Sequence, residues 1–208
     1  MAGLDGRAAP GGFAAMSGAS SELKAAVRRQ LREALQRLSP RAREEGSRRV
    51  CEALRRLPLW EAARSILFYH PLADEPDIWP LVGEALGEGR EVGLLRFQAE
   101  TAGYTPCRVE RVAEDLVEGR FGLLEPALHC REMDVKRLDL VLVPGIGFTL
   151  DGARLGRGKG YYDRFLSAVP GFKCGVAFDC SVVTSLPVEP HDTQLNGILT
   201  PSGWHAVA

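Results

Sequence analysis

Cysteine, lysine and long apolar runs are all scarce in this chain, and each scarcity removes a class of protein. The five cysteines, Cys51, Cys107, Cys130, Cys174 and Cys180, are odd in number and widely scattered. They form no C-x-x-C pair, and no cysteine has a histidine at zinc-ligand spacing. A disulfide scaffold, a redox pair and a zinc finger are therefore not expected, and the five read as buried or incidental free thiols. The longest apolar runs, such as 138–148, are too short and too glycine-broken to span a bilayer. No secretory h-region is present. These features predict a cytoplasmic protein with no membrane partner.

Charge of one sign is also missing. The 26 Lys and Arg stand against 27 Asp and Glu, a formal net charge of −1, so no overall pull toward nucleic acid or membrane arises. Arginine dominates the cations, a bias that follows genome base composition rather than function. Aromatics make up only 7% of the chain. None interleaves the arginine-rich helices below, as a base-stacking platform would require.

The 208 residues contain no internal repeat and no dividing linker. Residues 21–208 are expected to form a single domain with a real core. Residues 1–20 are rich in Gly, Ala and Ser without hydrophobic period and read as a disordered tail. Asp5 and the glycines count against an amphipathic transit helix there.

From Ser21 the period becomes helical. Leu23, Val27, Leu31, Ala34, Leu35 and Leu38 recur at steps of three and four. Ser39-Pro40 supplies an N-cap and first-turn proline for a second helix, continuing toward Leu57 through Val50 and Leu54. After Arg64 short apolar runs alternate with helical segments. Strands are predicted over 65–69, 91–97, 138–143, 173–178 and 196–200, with a short edge strand at Arg108 and Val109. Helices are predicted over 77–86 and 160–168. Such alternation implies an α/β fold, an open and largely parallel sheet sandwiched by helices in the Rossmann-like manner.

The chemistry concentrates in Arg154-Leu155-Gly156-Arg157-Gly158-Lys159-Gly160-Tyr161-Tyr162-Asp163. Alternate glycines let backbone N–H groups approach a phosphate closely. Arg154, Arg157 and Lys159 add positive charge, and Asp163 is a candidate ligand for nucleotide-bound magnesium. The loop follows Pro144-Gly145 at the end of the strongest strand, where ligands of open sheets bind. Standard nucleotide motifs do not fit it. Gly160 stands where a Walker A loop needs Ser or Thr, and Tyr161 where the dinucleotide fingerprint needs Gly.

Other candidates are ambiguous on residue type alone. Lys24 and Arg28 lie on one face of the first helix, as polyphosphate prongs or as solvated helix charges. Glu75 follows the first predicted strand and can accept hydrogen bonds from an amino-substituted ring, or serve only as an acid at a helix approach with Asp74 and Asp77. Asp192, in Pro190-His191-Asp192, is a second magnesium candidate or an ordinary turn residue. Neither His70 nor His191 has a Ser or Cys partner, so no hydrolytic triad is expected.

The sequence Leu142-Val143-Pro144-Gly145-Ile146-Gly147-Phe148, followed by 151–166 with the loop above, closely resembles the 5-formyltetrahydrofolate cyclo-ligase family. The similarity extends from Lys24 to Thr200 and includes Asp74-Glu75, the segment 121–126 and the segment 186–192. It implies a fold of the sugar-phosphate isomerase and CoA-transferase-like type. The implied reaction is ATP- and magnesium-dependent cyclisation of 5-formyltetrahydrofolate to 5,10-methenyltetrahydrofolate, through a phosphorylated formyl intermediate, with release of ADP and phosphate. By resemblance, Lys24, Arg28 and residues Arg154 through Tyr162 contact ATP, and Arg157 and Lys159 carry the catalysis. Arg157, Gly158, Lys159, Gly160 and Tyr161 also approach the folate, Glu75 and His70 flank its pterin, and Asp163 and Asp192 bind Mg2+. Asn196 replaces an Asp that many members carry, which raises the question of weaker metal binding. Gly147 replaces a frequent Ala and is expected to affect packing only. The partners implied are small molecules, with no nucleic acid, and a monomer is expected. Two alternatives stay open: a paralogue acting on another formylated or amide substrate, and a non-catalytic regulatory or RNA-associated binding protein using the arginine-rich helices.

Overall fold

The computed structural model describes residues 12–119, 122–189 and 192–207, with side chains from residue 21 onward. The first half of the chain forms α1 (Gly12–Gln36), α2 (Pro40–Arg55), α3 (Pro58–Ala62), β1 (Ser65–Leu67), α4 (Trp79–Gly87), β2 (Glu91–Gln98) and β3 (Gly103–Val109). Next come α5 (Val112–Asp115), β4 (Leu116–Glu118), β5 (Leu124–Pro126), β6 (Leu140–Val143), β7 (Gly147–Phe148) and β8 (Arg154–Leu155). The chain finishes with α6 (Tyr161–Leu166), β9 (Phe172–Val176), β10 (Gly197–Thr200) and β11 (Gly203–Ala206).

Seven strands build one sheet in the order β11-β10-β9-β6-β1-β2-β3. The five inner strands are parallel, and antiparallel β11 and β3 close the two edges. Strands covered on both faces need apolar residues at every position, and β1 and β6 are buried throughout. Val50, Leu54, Leu81 and Val82 of α2 and α4 pack on one face, together with Trp60 of α3. Phe165, Leu166 and Val169 pack on the other, with Val141 and Val143. The chain leaves β1 toward β2 on one side and returns through β6 on the other. The strand order therefore reverses between β1 and β6, which opens a crevice beyond their carboxyl ends.

Local chemistry explains where most elements stop. Ser39 accepts the Ala42 N–H at 3.2 Å and Pro40 starts α2, as the sequence predicts. That helix ends at Arg55 rather than reaching Leu57, because a residue preceding proline resists the α conformation and Pro58 opens α3 instead. Asp77 is not helical. Its Oδ1 accepts the Trp79 N–H at 2.9 Å and caps the approach to α4. Helix α1 begins at Gly12, upstream of Ser21 and inside the segment expected to be a disordered tail, in a stretch containing good helix formers such as Ala14 and Ala15. Residues 1–11 lie outside the described residues.

The edge strands differ most from expectation. β3 is seven residues long, not a two-residue stub, and pairs with β2 from Val92↔Val109 to Gln98↔Gly103. Pro106 is tolerated because the strand lies at the sheet edge, where its carbonyl takes the Met133 N–H at 2.8 Å. β11 and the small hairpins β4–β5 and β7–β8 were not expected. Among the described residues no helix is long and apolar enough to cross a membrane.

Candidate active site

The crevice at the β1–β6 switch is a cavity of about 1060 Å³. All the site residues expected from the sequence line it: Lys24 and Arg28 from α1, His70 and Glu75 from the segment after β1, residues 154–163, and Asp192.

The glycine-rich loop forms the floor. Gly158 and Gly160 have φ of +98° and +66°, a left-handed backbone that favours glycine, and Gly160 immediately precedes α6. Arg154 is a buried strut. Its Nη1 donates to the Pro144 carbonyl at 3.1 Å and its Nη2 to Asp163 Oδ1 at 2.7 Å. Its guanidinium also lies 5.5 Å from the centre of the Tyr162 ring. Leu155 contributes backbone rather than side chain to the cleft, since it is buried against Leu31 and Ile146.

Arg157 crosses the cleft. Its Nη2 reaches Asp74 Oδ1 at 2.6 Å and Glu75 Oε1 at 2.8 Å. Burial opposes its charge, but these carboxylates prevail and keep the guanidinium more basic than usual. Glu75 Oε2 accepts the Leu72 N–H at 3.0 Å. Burial pushes the Glu75 carboxyl above the ordinary range, and the Arg157 charge offsets this only in part. His70 packs edge-on to Trp79 at 4.9 Å. Burial lowers its pKa, and its buried Nδ1 has no protein partner. A neutral ring with an unmet polar atom beside the cleft suits contact with a polar heterocycle.

The wall from α1 is equally connected. Lys24 is only 8% exposed, and its Nζ lies 2.6 Å from Glu189 Oε2 and 2.8 Å from Asp192 Oδ2. Burial works against its ammonium, yet the hydrogen bonds to Asp192 and Glu189 raise its pKa overall. Arg28 Nε donates to the Gly156 carbonyl at 2.8 Å, which ties α1 to the loop. Lys159 is exposed and has no carboxylate partner among the described residues, so its charge is available to an anion.

Asp163 and Asp192 offer hard carboxylate oxygens at the cleft, the donor type that suits Mg2+. Among the described residues they are not part of any three-ligand cluster. That sparse donor set fits an ion that keeps most of its shell for water and phosphate oxygens. Asn196 lies elsewhere, at the amino end of β10, where Oδ1 accepts the Lys173 N–H at 2.8 Å. Gly147 does have a packing role, because a Cβ there would come within 2.4 Å of Leu31 Cδ1 on α1. Pro190 and His191 lie outside the described residues.

Sequence reasoning missed two parts of the site. Glu189 shares Lys24 with Asp192, and its position three residues before Asp192 was the available signal. The second is an aromatic wall. Tyr104 of β3 lies 5.8 Å from Tyr161, 5.6 Å from Tyr162 and 5.8 Å from Phe97 of β2. Alternation along 103–109 would have exposed Tyr104 had that strand been recognised.

Comparison with known proteins agrees with this architecture. The chain is 34% identical over 182 residues to the 5-formyltetrahydrofolate cyclo-ligase of Mycolicibacterium smegmatis, covering 83% of this chain and 92% of the relative. It is 30% identical over 176 residues to the enzyme of that name from Escherichia coli, covering 83% and 97%. The structure of Aquifex aeolicus 5,10-methenyltetrahydrofolate synthetase superposes with a TM-score of 0.80 at 32% identity, covering 89% of this chain and 93% of that one. Residues 20–201 match the family as a whole, so the chain belongs to the 5-formyltetrahydrofolate cyclo-ligase family.

Proposed function

We propose that the chain converts 5-formyltetrahydrofolate and ATP to 5,10-methenyltetrahydrofolate, ADP and phosphate, with Mg2+ as cofactor. The observation that carries this reading is the loop 154–163. It runs within one cleft between Lys24 and Arg28 on α1 and Glu75 after β1, and Arg157 also pairs with Asp74 beside Glu75. A nucleotide fits the cationic side near α1. A pterin fits the side where Glu75, His70 and the aromatic wall lie, because its amino groups can donate to a carboxylate and its ring can stack.

In this reading the formyl oxygen attacks the γ-phosphorus, and the bond from that phosphorus to the ADP oxygen breaks. The second folate nitrogen then attacks the activated carbon, loses its proton, and phosphate leaves with the former formyl oxygen. Such phosphoryl transfer depends mainly on positioning and charge neutralisation. Lys159 neutralises the transferring phosphoryl group, with Arg157 beside it where the loop meets the folate side. Arg28 holds the loop through Gly156, and Lys24 sets the spacing of Glu189 and Asp192. Asp163 and Asp192 hold Mg2+, which when bound supplies positive charge to the phosphate oxygens. On α2, Arg48 and Arg49 pair with Glu45 and Arg55 pairs with Glu84, so the charge of these three arginines is offset within the fold.

The test is nucleotide turnover dependent on folate. Purified protein with ATP and Mg2+ should release ADP only when 5-formyltetrahydrofolate is added, one per folate consumed. ADP release indifferent to the folate would contradict the assignment.

A further inference from the structure

A second cluster of chemistry-bearing side chains lies away from the cleft. Asp115 ends α5, and its Oδ2 accepts the Glu110 and Arg111 N–H groups at 2.7 and 2.8 Å. Its Oδ1 lies 3.1 Å from His129 Nε2. Cys130 Sγ lies 3.3 Å from the Asp115 carbonyl oxygen. One oxygen, one imidazole nitrogen and one sulfur therefore converge, all within 4.8 Å of one another. We propose that Asp115, His129 and Cys130 form a binding site for a single divalent cation of the zinc type.

The donor set selects the class of ion. Thiolate and imidazole suit Zn2+ and its borderline-soft neighbours and are poor ligands for Mg2+ or Ca2+. Geometry agrees. Tetrahedral zinc, with bonds of ~2.0 Å to N and O and ~2.3 Å to S, sets its ligand atoms roughly 3.3–3.5 Å apart. The Oδ1–Nε2 spacing of 3.1 Å is already close to this range, and the pairs to sulfur, within 4.8 Å, close on the ion by a contraction of the site. His129 can supply it, because its side chain is 62% exposed.

Two features hold the site in advance. The paired backbone N–H groups fix the Asp115 carboxylate, as an outer shell does around a metal ligand. The turn after β5 is closed by hydrogen bonds from Ala127 N to Asp115 O at 2.8 Å and from Cys130 N to Ala127 O at 3.0 Å. On binding, the Cys130 thiol proton passes to solvent, and the His129 Nε2–H that donates to Asp115 Oδ1 is given up as the neutral ring takes its Nδ1–H tautomer, which frees the Nε2 lone pair for the metal. Carboxylate and thiolate then balance the two charges of the ion. Solvent reaches the remaining coordination position on the His129 side. Arg96, whose Nη1 donates to Ala127 O at 3.0 Å, holds the backbone of this turn.

The linear spacing hides this site, since His129 and Cys130 are adjacent and Asp115 lies far upstream. Its place has a consequence for the cleft. β5 leads directly into the turn, and Leu124 and Glu125 of β5 line the cavity. A bound ion would clip the β4–β5 hairpin to α5 behind that wall.

Cobalt is the probe. Full-length protein titrated with Co2+ in the presence of excess Mg2+ should bind one equivalent. It should develop a near-ultraviolet thiolate-to-cobalt band with tetrahedral visible bands, and added Zn2+ should bleach both. His129→Ala and Cys130→Ser should each abolish the bands, while Cys51→Ser keeps them. Far-ultraviolet circular dichroism checks that the buried Cys130 variant folds; the exposed His129 variant keeps the test decisive if it does not. Absence of the bands in the wild type, their survival in His129→Ala, or their loss in Cys51→Ser would overturn the proposal.

Discussion

Arg157 Nη2 lies 2.8 Å from Glu75 Oε1, so the glycine-rich loop and the turn after β1 share an ion pair across the cleft. The residue assigned to the phosphoryl end and the one assigned to the pterin end are thus in direct contact. Removing the Glu75 charge should affect folate far more than nucleotide. For Glu75→Gln the loss of a charge-assisted bond, about 1.5–3 kcal/mol, corresponds to roughly a 10- to 100-fold fall in kcat/KM for the folate. Steady-state kinetics with each substrate varied separately will show this asymmetry, and an equal effect on both would count against the pterin assignment.

The same carboxylate has a pH signature. Burial raises the Glu75 pKa above 4.5, so the folded protein holds this proton more tightly than the unfolded chain. Between 4.5 and the raised value the native state binds more protons, and stability from this group falls as pH rises through that window. Glu75→Gln should remove that decline. Chemical denaturation of both proteins upward from pH 4.5 checks the sign, since a steeper decline in the variant would reverse it.

Arg154 bridges two acceptors, the Pro144 carbonyl and Asp163 Oδ1. A lysine ammonium cannot reproduce that planar fork. Arg154→Lys should lower stability by about 1–3 kcal/mol and raise KM for ATP, because one buried acceptor loses its donor and the loop loses its strut. Urea melts at constant m-value and ATP kinetics test the two halves separately.

Lys159 has the opposite character. It is exposed, so Lys159→Ala should change stability by no more than about 0.5 kcal/mol, yet cut kcat by about 100-fold or more through loss of transition-state charge. Near-normal turnover would remove Lys159 from the mechanism.

Lys24 holds two carboxylates, Glu189 and Asp192, so Lys24→Met removes the cation that they share. KM for ATP should rise, and stability should fall by about 1–2 kcal/mol, less than for a fully buried pair because Glu189 is partly solvated. A Lys24→Met, Glu189→Gln double variant should recover part of the stability.

Much of this was legible in the sequence, for physical reasons. Buried parallel strands such as β1 and β6 announce themselves as continuous apolar runs, and the loop 154–163 combines glycines, cations and an acid that few structural turns require. Edge strands carry weaker signals. β3 contains Pro106 and outward polar residues, so its pairing with β2 and the aromatic wall built on Tyr104 went unseen. Partnerships between distant residues were not legible either. Lys24 with Glu189 and Arg157 with Asp74 depend on how the elements assemble. Asn196 pins β9 to β10 and does not line the cleft.

The central claim is tested most directly by following near-ultraviolet absorbance of the methenyl product. The wild-type chain with 5-formyltetrahydrofolate, ATP and Mg2+ should give a rise that stops when ATP is withheld. No ATP-dependent rise, from protein shown to be folded, would contradict the account.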